Sequence, residues 1–361
     1  MNDLNLFHQA EHATEKGIDA IVINEDTSKT ADLWKKARTM ASITYMSPEM
    51  ALSESFQKLW KDSKFRNRLI ALVVDKAHCI EDWGVDDFRP LYRKLDTLRS
   101  YTGYETLVIS CTATCRTSTF NLIWDTLGYG NRPFWGLDVG TDRPNLFFIT
   151  RTLSDPKNPL LDILNLLPAV LDCSTPLEDI NKCLLYFDSE NACRLVVQSL
   201  RKCLPPHLRS CVHAFSSDLS EKGKQQCWEN FKQGHTRILC ATDAAGMGCD
   251  VPDIQYVVTF AIPKSLSTVG QRWGRAGRDR TTHGTCILLV PKWAFRPDDA
   301  NIPSTTLNPT IQNLQRGRRK VPGAESKQDT IKRAKLDNKL EAFINIKHPR
   351  EQVLFYFKSL W

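Results

Sequence analysis

The stretch LIALVVDKAHC, Leu69 to Cys79, decides how the rest of the chain reads. Its first half is apolar and β-branched, the pattern of a strand buried on both faces of a parallel sheet. Its second half turns polar at Asp75, which places that carboxylate at the carboxyl edge of the sheet. A carboxylate there can hold Mg²⁺ through water in a nucleotide site. A D-x-A-H on its own is a weak signal, so its meaning depends on what flanks it.

Similar short runs recur on either side, at Ile18 to Asn24, Ile43 to Met46 and Thr106 to Ser110, with helix-period segments at Ala31 to Met40, Pro48 to Lys61, Arg89 to Ser100 and Thr117 to Leu127. A second series of strand patterns follows, at Leu146 to Thr150, Cys183 to Asp188, Val212 to Phe215, Arg237 to Ala241, Ile254 to Phe260 and Thr285 to Val290. Helical patterns at Glu190 to Cys203, Leu219 to Gln233 and Thr268 to Ala276 alternate with them. The alternation predicts an α/β chain of two parallel-sheet lobes, with ligands at strand carboxyl ends and in the cleft between lobes. Turn formers in GTDRPN, Gly140 to Asn145, mark the linker and divide the chain into lobes over 1–140 and 141–295.

After about residue 295 the periodicity ends, and Arg316, Arg318, Arg319, Lys320, Lys332, Arg333 and Lys335 crowd a segment containing Pro and Ser. Residues 296–361 therefore read as a flexible basic tail, either a solvated linker or a nuclear-import or nucleic-acid patch. A last apolar segment, Leu340 to Trp361, has the pattern of a helix from a larger module.

Composition narrows the class. The chain has 361 residues, 48 Lys+Arg against 41 Asp+Glu, 42% hydrophobic and 25% charged, which excludes a chain disordered throughout or collagen-like. No run of 18 uncharged apolar residues occurs, and MNDLNLFHQAEHATEK is polar and acidic where a signal peptide is basic and then apolar. Neither secretion nor a membrane partner is expected. The net charge of +7 hints at a polyanionic partner, but it is diluted over the whole chain and settles nothing. The 12 cysteines include no C-x-x-C pair, and most lie in apolar runs such as LVISC, KCLLYF, RILCAT and TCILLV. They read as small buried hydrophobes in a reducing compartment.

The chemistry-bearing segments appear in a set order. After Asp75 comes SCTAT, Ser110 to Thr114, whose small hydroxyls fit a crowded strand end. ILCATDAAGMG then presents Thr242, Asp243, Gly246 and Gly248, and its glycines let backbone amides approach a phosphate or sugar closely. QRWGRAGRDR places Gln271, Arg275 and Arg278 within two helical turns, with Arg275 and Arg278 on one face. Two arginines facing a cleft can stabilise the charge on a transferring phosphoryl group.

The segments TYMSPE, VVDKAHCIEDWG, DFRP, SCTAT, DRPN, LLYFDS, VHAFSS, ATDAAGMGCDVPDI and QRWGRAGRDR together resemble the RecQ family of superfamily-two DNA helicases, over roughly Asn24 to Val290. Gln271 separates this chain from the RNA-directed DEAD-box relatives, whose closing motif, H-R-x-G-R-x-x-R, has His there. The resemblance implies two RecA-like lobes that close on ATP and Mg²⁺ and move 3′ to 5′ along a single strand. It implies, together with the basic tail, a protein of DNA recombination and repair in the nucleus, or otherwise the cytoplasm, working on single-stranded or partly duplex DNA and with other repair proteins. It implies catalytic roles for Asp75, Gln271, Arg275 and Arg278, and nucleotide contacts from Asp75, Asp243, Gly246, Gly248, Arg275 and Arg278. DNA contacts are implied for Trp83, Phe88, Arg89, Ser189 and Thr242. Stacking of bases on Trp83 and Phe88 with Arg89 near a phosphate suits that role, while core packing is the alternative for Trp83.

Four features depart from the family pattern. No G-x-x-x-x-G-K-[ST] phosphate loop occurs, the one Gly-Lys pair being Gly223–Lys224 before Gln225. By analogy the chain starts just after that loop's helix, so lobe one is expected to be incomplete, lacking an interior strand. Lys76 stands where the family has the Glu that prepares the attacking water. The segment VDDFRP carries one residue more than the family's aromatic loop. Finally, KLDNKLEAFINIKHPREQVLFYF looks like the start of a zinc-binding module, but His348 stands where the first cysteine belongs, so no zinc is expected. Three readings follow: an impaired helicase, a pseudo-helicase that binds single-stranded DNA or a partner without turnover, and an incomplete gene product. Lys76 favours the last two, and the intact arginine motif points to descent from a working enzyme.

Overall fold

A computed structural model describes residues 3–82, 90–138, 142–155, 158–243, 250–296 and 327–346. The chain divides into two compact units that part between Thr141 and Asp142. The first contains α1 (Asp3–Glu15), β1 (Ala20–Ile23), α2 (Ala31–Thr39), β2 (Ile43–Met46), α3 (Pro48–Ala51), α4 (Glu54–Lys61), α5 (Ser63–Arg68), β3 (Ala71–Asp75), α6 (Cys79–Asp82), α7 (Thr97–Thr102), β4 (Leu107–Cys111) and α8 (Thr117–Thr126). The second contains β5 (Leu146–Thr152), α9 (Leu160–Leu164), β6 (Cys183–Tyr186), α10 (Glu190–Cys203), β7 (Val212–Phe215), α11 (Glu221–Lys232), β8 (Ile238–Ala241), β9 (Tyr256–Phe260), α12 (Leu266–Trp273), β10 (Gly284–Val290), α13 (Lys327–Arg333) and α14 (Asn338–Ile344). Both units are α/β, and every strand pair among the described residues is parallel.

In the first unit the strands form two separate parallel pairs, β1 with β2 and β3 with β4. Both pairs contribute to one core, in which Ile23 and Val74 pack with Phe56, Trp60, Ile80 and Leu98. The face of β3–β4 that carries Leu72, Val74 and Val108 belongs to this core, but the other face does not. There Val73 is 57% exposed, Leu107 55% and Ile109 45%. Parallel strands are ordinarily covered on both faces, and these three side chains leave one apolar face of the β3–β4 pair uncovered among the described residues.

Helix boundaries follow local capping. The segment expected as one helix over Pro48 to Lys61 is two, because the Ser53 hydroxyl accepts from the Phe56 amide at 3.2 Å and starts a new helix there. The segment Arg89 to Ser100 is likewise not one helix: Pro90–Lys94 is a 3₁₀ turn and α7 follows it. Helix α1 has no counterpart among the sequence expectations, since its composition is polar. Its Leu6 and Ala10, four residues apart, nevertheless pack on Val22 beside Ala20 and Tyr45.

The second unit has a six-stranded sheet in the order β5-β10-β9-β6-β8-β7. Every residue of β6 and β8 is buried, as a doubly covered parallel sheet requires. Helix α10 lays Cys193, Val196, Val197 and Leu200 on the sheet. Chain order reverses at β6, which puts the functional edge at the carboxyl ends of β6 and β8. Cys183, Cys193, Cys211, Cys240 and Cys286 are buried, and burial pushes the Cys183 thiol up to about 12 and the Cys211 thiol up to about 11.

Within the segment read as a basic tail, residues 327–346 form α13 and α14, which pack on this unit. Leu340, Phe343 and Ile344 are buried, Phe343 meets Trp273 edge-on at 5.6 Å, and Arg296 forms two bonds to Glu341 at 2.9 and 3.0 Å. The remainder of 296–361, including His348, lies outside the described residues apart from Arg296 itself. No helix among the described residues is long and apolar enough to cross a membrane.

Candidate functional site

In the first unit the site grows from the ends of β3 and β4, where Asp75 pairs with Cys111 in register. Lys76 adopts a left-handed backbone with φ of 53°, uncommon for a residue with a Cβ. The turn it makes lets its amide reach Asp75 Oδ1 at 2.8 Å and the Ala77 amide reach the Cys111 carbonyl at 2.9 Å. His78 is thereby brought against SCTAT, with Nδ1 2.8 Å from Thr112 Oγ1. Thr112 donates its own proton to the Thr114 carbonyl at 2.9 Å, so the bond to His78 is made by a protonated Nδ1. Burial first and the Lys76 cation second push the His78 imidazole down to about 4, against a smaller opposing pull from Asp75. His78 is neutral at ordinary pH and serves as a rigid link between the two strand ends.

Glu81, absent from the sequence reading, ties α6 to α8. Its carboxylate meets Arg116 Nη2 at 3.1 Å and accepts from the hydroxyls of Thr119 and Ser118, within the first turn of α8. A carboxylate at a helix amino end is favoured by the helix dipole. Trp83, Phe88 and Arg89, read as DNA contacts, lie outside the described residues.

In the second unit, Thr242 and Asp243 follow β8, while Gly246 and Gly248 lie outside the described residues. Ser189 follows β6 and caps α10, its hydroxyl accepting from the Ala192 amide at 3.2 Å. Gln271 lies on α12, but that helix ends at Trp273 with Gly274 as its cap. Arg275 and Arg278 are therefore in the turn beyond, not on a helical face as their i, i+3 spacing suggests. Arg278 meets Asp250 at 2.9 Å and donates from Nε to the Gly274 carbonyl at 3.2 Å.

The arginine turn is held from a distance by DRPN. Asn145 donates to the carbonyls of Gly277 and Thr282, both at 2.8 Å. Arg143 donates to the Ala276 carbonyl at 3.2 Å and also to that of Gly277. The stretch read as the inter-lobe linker, within which the two units part, thus also clamps the arginine motif through Arg143 and Asn145.

Sequence reasoning also passed over Arg272, although it sits between two of the residues it singled out. Arg272 is 4% exposed, binds Asp243 through Nε and Nη2, and lies over the Tyr186 ring at 5.1 Å. A basic residue in a basic run reads as surface, and only the apolar residues around it, Val269 and Trp273, signalled a buried face.

Comparison with known proteins follows the same division. A DEAD/DEAH box helicase family matches residues 4–120, and a helicase conserved C-terminal domain matches residues 164–280. The ATP-dependent DNA helicase RecQ of Pasteurella multocida is 27% identical over 288 residues, which take in 78% of this chain and 42% of that protein. The ATP-dependent helicase SGS1 of Saccharomyces cerevisiae is 28% identical over 303 residues, 80% of this chain and 19% of that one. The chain thus spans less than half the length of these relatives. In fold it is similar to the DUF1998 helicase MrfA bound to DNA, with a TM-score of 0.61 and 17% identity over 80% of this chain and 39% of that one. It is also similar to Saccharomyces cerevisiae Dbp5 bound to RNA and ADP BeF3, with a TM-score of 0.55 and 18% identity over 80% and 69% of the two chains.

Proposed function

We propose, from the premise that the chain belongs to the RecQ-like superfamily-two helicases, that these 361 residues hold single-stranded DNA without hydrolysing ATP. One observation carries the second half of the reading: a cation, Lys76, follows Asp75 directly at the end of β3, and its charge adds to burial in lowering the affinity of His78 for a proton. ATP and Mg²⁺ are the fuel of this family, and the residues here do not fit the pair. Asp75 would share a bound cation's surroundings with the Lys76 ammonium, a like-charge arrangement that disfavours the metal. A charged lysine cannot take a proton from water, and the sequence offers no backbone cradle of the G-x-x-x-x-G-K-[ST] kind.

DNA binding is supported by what remains. The RecQ-like relatives are DNA helicases, MrfA was solved on DNA, and the arginine motif is tightly clamped. Thr242, Ser189 and the segment Trp83, Phe88, Arg89 are the side chains we assign to the strand, with bases stacking on the aromatics and Arg89 at a phosphate. A nuclear place in recombination or repair, with 3′ to 5′ polarity in any motor that includes this chain, completes the reading. Fluorescence anisotropy of a labelled oligothymidylate over a salt series tests it. Affinity that falls steeply as salt rises is expected. No binding, or binding indifferent to salt, would overturn it.

A further inference from the structure

We infer that Arg272 is a positioning residue that fixes Thr242 and Asp243 where β8 ends, so that Thr242 is correctly placed on DNA. Its consequence for DNA rests on the function proposed above, whereas the geometry concerns the second unit alone. Both Nε and Nη2 of Arg272 reach the same oxygen, Asp243 Oδ1, each at 2.8 Å. The guanidinium is stacked on Tyr186, the last residue of β6. One side chain on α12 therefore joins the ends of two neighbouring strands at the point where the chain order reverses.

The burial is lopsided, and that gives the pair its direction of action. Arg272 is 4% exposed while the Asp243 side chain is 64% exposed. The buried cation is held by the ring and by its own backbone, so the exposed carboxylate is the member that gets placed. Among the described residues Nη1 has no hydrogen-bond partner, and the bond to Asp243 is the main compensation they offer for burying the charge. Asp188, just past β6, feels the same group: burial raises its carboxyl and Arg272 pulls it back. Lysine cannot substitute. Its ammonium has no plane to stack on Tyr186 and no second N–H set at the angle that Oδ1 receives.

The test uses the full chain with Arg272→Lys, Asp243→Asn and the double variant. Anisotropy with the labelled oligothymidylate and hydrogen exchange at the amides of Thr242 and Asp243 are both measured. Each single variant should weaken DNA binding by about tenfold and speed exchange at those two amides, and the double should be no worse than the poorer single, because both remove one bond. Arg272→Lys binding like the parent would show a plain charge contact and overturn the inference. Losses that multiply in the double would do the same, as would faster exchange spread evenly over the second unit. If the parent chain binds no DNA, the DNA-holding reading fails by itself. The exchange measurement then decides alone, and unchanged exchange at Thr242 and Asp243 would overturn the positioning role.

Discussion

The side-chain amide of Asn145 donates to the carbonyl of Gly277 at 2.8 Å, across 132 residues of sequence. The bond matters because Gly277 is caught in a conformation and a space that only glycine fits. Its φ is 48°, and a Cβ there would stand 2.5 Å from the Thr282 carbonyl oxygen and 2.7 Å from Asn145 Nδ2. The turn that carries Arg275 and Arg278 is therefore threaded between the start of β5 and the approach to β10, which pair in parallel from Leu146 and Gly284 onward.

Gly277→Ala should destabilise the second unit by roughly 2–4 kcal/mol, combining positive-φ strain with overpacking against backbone that cannot retreat. Asn145→Ala should cost about 1–3 kcal/mol by taking one donor from the buried Gly277 carbonyl, which keeps Arg143, and one from the half-buried Thr282 carbonyl. Urea unfolding followed by tryptophan fluorescence checks both, and Trp273 lies close to the turn. A Gly277→Ala chain as stable as the parent would mean that the turn has room that its geometry denies.

Much of this architecture is legible in the sequence, for reasons that differ by element. Strands β2 and β7 and helix α10 fall where the pattern puts them, because an apolar run or an amphipathic stripe is bounded by a strong signal, Ser189 in the last case. Helix α12 is displaced because its ends are set by the cap at Ser265 and by Gly274, not by periodicity. What could not be read are partnerships at long range. Asn145 looks like a turn residue until Gly277 is beside it, and Arg272 looks like surface until Tyr186 and Asp243 enclose it. Glu81 is one more acid in CIEDW until α8 supplies Arg116 and Thr119.

The His78 imidazole gives the first unit a defined acid response. Its folded value is about 4 against an ordinary 6.5, so between those pH values the unfolded chain binds a proton that the folded one refuses. Its contribution is fully present above pH 6.5 and is lost as pH falls toward 4, by at most about 3 kcal/mol. Comparing the parent with His78→Gln by thermal unfolding from pH 7 to 4 isolates this from other titrations, and the variant should show the shallower slope. Lys76→Glu removes one of the two causes of the low value, so it should narrow the window from below. Parallel slopes for the parent and His78→Gln would show that the ring titrates freely in the folded chain.

Catalysis offers the sharpest test of how the two departures act together. The 361-residue chain should release no phosphate from ATP, with or without single-stranded DNA, and Lys76→Glu alone should change nothing. A carboxylate that prepares water contributes on the order of 10²–10⁴ in rate, but only to a nucleotide already docked and oriented. Fusing a RecQ segment that carries the phosphate loop to the amino end should therefore restore nucleotide binding while leaving turnover low. The fusion combined with Lys76→Glu should gain far more than the two changes separately, because nucleophile preparation and phosphate positioning act on one transition state. In that doubly repaired protein Arg275→Ala or Arg278→Ala should remove the gain, as loss of phosphoryl charge stabilisation requires. Phosphate release is measured for the parent, the Lys76→Glu chain, the fusion and the doubly repaired fusion, with and without oligonucleotide. Substantial turnover by the unmodified chain, abolished by either arginine substitution, would show that Lys76 is compatible with the chemistry and that a phosphate cradle exists elsewhere in the protein.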